Sequence, residues 1–157
     1  MRPVPPGGIM ADGLPATTKD CEVMAMTTHP TIVQVVLDAT DIRALAEFYR
    51  QLFGLEYRPG DEPGDGEPDW LVLRSPGGIP LAFQQVDALP AATWPEGEIP
   101  QQLHLDTTVP DVAELDVQHE RALALGARLL YDRSDDPEEP LRVYADPAGH
   151  PFCIFVG

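Results

Sequence analysis

Basic residues are scarce in this chain: ten Lys and Arg stand against 26 Asp and Glu, for a net charge of −16 at neutral pH. A field of that sign repels phosphate backbones and anionic membrane surfaces, which argues against nucleic acid or lipid headgroups as partners. Cysteine is scarcer still. Cys21 and Cys153 are the only two in 157 residues, too few and too far apart for a disulfide framework or a zinc-finger spacing, so a reducing cytoplasm is the expected compartment. No apolar run approaches the roughly 18 residues of a membrane helix. The N-terminus also lacks the basic segment and apolar core of a secretory leader, so a soluble, cytoplasmic protein with no membrane partner is expected. Turn formers, by contrast, are plentiful: 18 Pro and 13 Gly punctuate a chain that is 43% hydrophobic, enough for one ordinary core.

Residues 1–28 carry Pro, Gly and Thr without apolar periodicity and read as a flexible tail ahead of a domain spanning 29–157. From Thr31 the pattern sharpens. Thr31 to Leu37 is β-branched and reads as a strand, and Asp41 stands where a helix cap is needed. Ile42, Leu45, Phe48, Tyr49, Leu52 and Phe53 then recur at helical spacing before Gly54. Short apolar runs at 55–58, 70–74 and 80–86 complete a first module, β-α-β-β-β, over residues 31–86.

A Pro- and Ala-rich linker, 87–100, leads to a second module over 101–157. Its strands are expected at 102–108, 128–131, 141–145 and 151–156. Asp111 with Glu114 forms a capping box, and Val112, Leu115, His119, Ala122 and Leu123 mark the predicted buried stripe of its helix. Matching residues sit at near-constant offsets: 70 positions from Asp41 to Asp111, 71 from Pro76 to Pro147, from Gly78 to Gly149 and from Pro80 to Pro151. Two copies are too few for a solenoid, so each module must bury one sheet face against the other or against a partner. The fold class that follows is α+β: two tandem βαβββ modules in a cup-shaped mixed sheet with helices outside. The acidic stretch Asp132 to Glu139 lacks a Gly-centred calcium-loop pattern and reads as solvated.

The segments Val35 to Tyr49, Leu52-Phe-Gly-Leu55, His104-Leu-Asp106, Leu125-Gly-Ala127 and Asp146-Pro-Ala-Gly-His-Pro-Phe-Cys-Ile154 resemble the vicinal oxygen chelate superfamily. That superfamily comprises glyoxalase, bleomycin resistance and extradiol dioxygenase proteins. The likeness covers residues 31–157 and is strongest to the glyoxalase-like domain branch. It implies a cup that holds a divalent metal on the first and last strands of each module. Here those positions carry Gln34, Ala82, His104 and Cys153, a set poor in the carboxylates that hard cations need, so neither a metal nor another cofactor is expected.

His104 and Asp106, at i and i+2 on a strand, share a face and are the candidate catalytic pair. Two roles stay open for them: an imidazole oriented by an acid as general base, or a pair that holds adjacent strands in register. By the same alternation, with strand directions taken from the resemblance, Gln34, Asp38, Ala82 and Gln84 are ligand-binding candidates around one cavity with Cys153 at its floor. Trp70 and Trp94 are available as walls or as plain packing. The leading expectation is a metal-independent protein that binds a small organic molecule in the cup, assembled as a homodimer. A metal-dependent lyase, isomerase or dioxygenase and a catalytically silent interaction module are the alternatives, so enzymatic activity is left open.

Overall fold

The first amides of a helix have no intrahelical acceptor, and Asp41 supplies one: its side chain accepts from the Ala44 amide at 2.9 Å, opening α1 (Ile42–Phe53). Gly54 closes that helix at φ 66°, a left-handed conformation that glycine adopts at little cost. Asp111 repeats the device for α2 (Val112–Ala124), accepting from the Glu114 amide at 2.9 Å. In the computed structural model, which describes residues 30–157, α1 lies between β1 (Val35–Ala39) and β2 (Glu56–Tyr57), followed by β3 (Trp70–Arg74) and β4 (Leu81–Gln85). The second half repeats the order: β5 (Leu105–Val109), α2, β6 (Arg128–Arg133), β7 (Leu141–Ala145) and β8 (Pro151–Val156). The α+β architecture of tandem βαβββ modules is therefore present. The tail read at 1–28 lies outside the described residues.

Each module forms a four-stranded mixed sheet, in the orders β1-β4-β3-β2 and β5-β8-β7-β6. First and last strands pair in parallel and the others antiparallel, which the helical crossover within each module permits. A helix covers one face of each sheet: α1 packs on β1, β3 and β4, and α2 on β5, β6 and β8. The opposite faces form the cup, and no closed barrel arises.

One hydrophobic core runs through both modules on the helix side. Phe48 and Tyr49 of α1 reach across to Phe152 of β8, with ring centroids 5.9 and 6.3 Å apart, and Tyr144 stacks on Phe152 at 5.2 Å. Rings buried this way each contribute about 1.5–3 kcal/mol.

Several sequence expectations shift. The first strand begins at Val35 rather than Thr31, because pairing starts at Val35 with Leu81; Ile32 and Val33 stay exposed, and Asp38 falls inside the strand. The strand expected at 55–58 shrinks to two residues, and the one expected from residue 102 starts at Leu105. In α2 only Leu115 and Ala122 of the predicted stripe are buried; His119 is half-buried, and Val112 and Leu123 face solvent. The acidic segment 132–139 is tied down by two arginines. Arg142, itself buried, bonds Asp132 at 3.0 Å, Asp116 at 2.8 Å and Ser134 at 2.9 Å, while Arg133 pairs with Asp136 and Glu139. Among the described residues no helix is long and apolar enough to cross a membrane.

Candidate functional site

Alternation along the sheet of module two sets the site. In β5 the side chain of Asp106 points away from the helix; its partner across the parallel pairing is Cys153 on β8, whose partner on β7 is Val143. These three residues line a cavity of about 370 Å³ on the cup face, walled further by Leu141 and Phe155. His104, one residue ahead of β5, stands at its rim. The lining is mostly apolar with a few convergent polar groups, the usual composition of a small-molecule pocket.

Inside the cavity the Cys153 thiol donates to Asp106 Oδ1 at 2.8 Å, and His104 Nε2 lies 3.4 Å from the same oxygen. Burial, reinforced by that carboxylate, pushes the thiol up to about 12. Cys153 therefore stays protonated near neutral pH and acts as a donor to Asp106 rather than as a nucleophile. Asp106 Oδ2 takes no partner among the described residues.

Of the residues singled out from the sequence, His104, Asp106, Cys153 and Trp94 share this cavity. Asp38 lies instead in a second hollow of about 290 Å³, between β1, the linker and the turn before β8. Gln34 sits just before β1, Ala82 is fully buried in β4 opposite Val36 and Val72, and Gln84 is exposed opposite Asp38 and Trp70. None of these four lines the cavity with Cys153; β1 and β4 belong to one sheet and β5 and β8 to the other.

Gln101, Tyr131 and Glu139 also line the cavity without having been singled out as site residues. A register shift in β6 between Leu129 and Tyr131 sets Tyr131 opposite Val143 on the cup face, which simple alternation does not foretell. Trp94 arrives from the linker, where the Thr93 amide donates to the Ile99 carbonyl at 2.9 Å and the Ile99 amide to Thr93 Oγ1 at 3.0 Å, closing a short loop. Its ring meets Tyr131 edge-to-face, with centroids 6.4 Å apart.

A family model for the glyoxalase-like domain matches residues 34–155, most of the chain. The chain belongs to the glyoxalase-like domain family. This glyoxalase-like protein is similar in fold to solved members of the vicinal oxygen chelate superfamily. One is a glyoxalase/bleomycin resistance protein/dioxygenase family enzyme from Burkholderia phytofirmans, at 19% identity and TM-score 0.61, covering 81% of this chain and 98% of that one. Another is lactoylglutathione lyase from Agrobacterium tumefaciens, at 22% identity and TM-score 0.55, covering 83% and 96%. A third is a variant of the fosfomycin resistance protein FosX from Listeria monocytogenes complexed with manganese(II) and 1S,2S-dihydroxypropylphosphonic acid, at 17% identity and TM-score 0.60, covering 82% and 91%. No curated protein matches the chain in sequence.

The metal such a fold implies can be tested against the donors present. Ala82 offers no donor atom, and Gln34 is neutral and precedes its strand. Among the described residues no three His, Cys, Asp or Glu side chains are placed to share an ion. These residues do not fit a divalent catalytic metal.

Proposed function

We propose that this glyoxalase-like protein binds a small organic molecule on the cup face of its second module without using a metal. The observation that carries the reading is the cavity itself: apolar walls from Leu141, Val143 and Phe155 surround the polar group Asp106–Cys153–His104, with Trp94 and Tyr131 at one side. A ligand of modest size can bury its apolar surface there while Asp106 and His104 fix its orientation. Ligand binding alone needs nothing more. The 3.4 Å approach of His104 to Asp106 supports a second reading, in which the oriented imidazole serves as a general base toward a bound substrate.

The working unit under this proposal is a cytoplasmic homodimer. Exposed Val36 and Ile79 and the free edges of both sheets are surfaces that a second copy would cover.

The test is a thermal-shift screen of small organic compounds, run with and without chelator, alongside elemental analysis of tag-free protein. A ligand that raises the melting temperature, no response to chelator and metal far below one equivalent per chain are expected. About one equivalent of zinc, iron, nickel or manganese, lost together with stability on chelation, would sink the metal-free reading. Light scattering should give twice the chain mass; a monomer would remove the dimer.

A further inference from the structure

We infer that the cavity of module two selects a cationic organic amine, protonated or quaternary, held between the Trp94 and Tyr131 rings and the Asp106 carboxylate. This rests on the reading of the cavity as a small-molecule site and names the chemical class of its ligand.

The aromatic part of the argument is geometric. Trp94 and Tyr131 both line the cavity and stand nearly perpendicular, with an interplanar angle of 86°. Phe155 adds a third ring to the lining. Aromatic faces carry negative potential, and a ring that turns a face to a pocket attracts an ammonium group there.

Charge points the same way. Among the described residues the cavity lining includes no Lys or Arg. Its two carboxylates are not equivalent: Glu139 is already paired with Arg133 at 3.1 Å, whereas among the described residues Asp106 meets a neutral thiol and the nearby imidazole, both on Oδ1. A thiol donor holds the carboxylate in place without cancelling its charge, and Oδ2 remains for a ligand. The net charge of −16 adds a field that draws cations in and keeps anions out. An anionic ligand would meet the Asp106 carboxylate with no Lys or Arg among the described wall residues to offset it.

The experiment uses the full chain and a matched series: phenyltrimethylammonium, its neutral isostere tert-butylbenzene, and benzoate. Trp70 and Trp94 are the only tryptophans, so quenching of indole fluorescence in a Trp70→Phe chain reports on Trp94. The cation should bind at least about tenfold tighter than the isostere, and benzoate should not bind. Asp106→Asn should bring the cation down to the isostere's affinity and leave the isostere unchanged. Should Trp70→Phe fold poorly, the unsubstituted chain against Trp94→Phe gives the same information, because the quench must vanish in the latter. If the isostere or benzoate binds as tightly as the cation, the charge selection is overturned and small-molecule binding stands. If no compound of this series or of the wider screen quenches Trp94 or shifts the melt, both are overturned.

Discussion

Tyr49 Oη donates a hydrogen bond to Asp146 Oδ2 at 2.8 Å, joining the middle of α1 in module one to the turn before β8 in module two. Both side chains are buried. Asp146 also accepts the amides of Ala148, Gly149 and His150 and lies 2.9 Å from His150 Nδ1, so one carboxylate shapes the turn and ties the modules together. Burial, with Asp146 adding to it, holds the Tyr49 phenol well above its ordinary value, so it remains a donor across the working pH range.

Tyr49→Phe keeps the ring that packs against Phe48, Phe83 and Phe152 and removes only the hydroxyl. Asp146 then loses one donor and keeps its turn amides. A cost of about 1–2 kcal/mol is expected, read by urea denaturation, with an unchanged slope. Equal stability of variant and parent would show that the bond does not hold the modules together.

Phe152→Ala should be more severe. The ring is fully buried and meets Tyr144, Phe48 and Tyr49, which come from both modules. A loss of about 3–5 kcal/mol is expected from the same denaturation curves. A loss under 1 kcal/mol would mean that the core closes over the gap.

Cys153 should resist alkylation. With the thiol pushed up to about 12, the thiolate fraction at pH 8 is about one in ten thousand, roughly a thousandfold below that of an unfolded chain. Labelling by Ellman's reagent in a Cys21→Ser chain checks this, native against denatured. Asp106→Asn removes the second cause of the rise and should speed native labelling while burial still slows it. Native labelling as fast as denatured would contradict the protected donor role.

Acid should loosen the second module through Asp132. Burial alone would raise this carboxylate, but bonds from Ser134 and Arg142 outweigh it and hold the folded value below the ordinary 3.8. The folded state then binds fewer protons than the unfolded chain, so this contribution is full above the ordinary value and is lost as the pH falls through the folded one. Asp132→Asn should flatten the acid limb of a melting-temperature profile below about pH 4. Arg142→Met should cost about 1–2 kcal/mol near neutrality, short of a fully buried pair, because Asp116 and Asp132 can hydrate once released. An acid limb identical in Asp132→Asn and parent would rule the linkage out.

Much of this was legible in the sequence because the signals are local. Helix caps at Asp41 and Asp111, apolar spacing along α1, and turn residues repeated some 70 positions apart specify two βαβββ modules without any knowledge of what they touch. The i, i+2 spacing likewise sets His104 and Asp106 on one side of a strand start, and both line the cavity. Strand ends were less readable, since a strand extends only as far as a neighbour pairs with it: Ile32 and Val33 have strand chemistry but lie outside the ladder, which begins at Val35.

The composition of the site belongs to tertiary structure. A bulge turns Tyr131 toward Val143, a linker loop brings Trp94 against it, and Ala82 and Gln84 lie in the sheet that does not hold Cys153. Residue type and spacing act over a turn of helix or two positions of strand, and so the modules and their order can be read from the residues alone. Which faces meet depends on strand register and on contacts between residues tens of positions apart, and only the folded chain decides those.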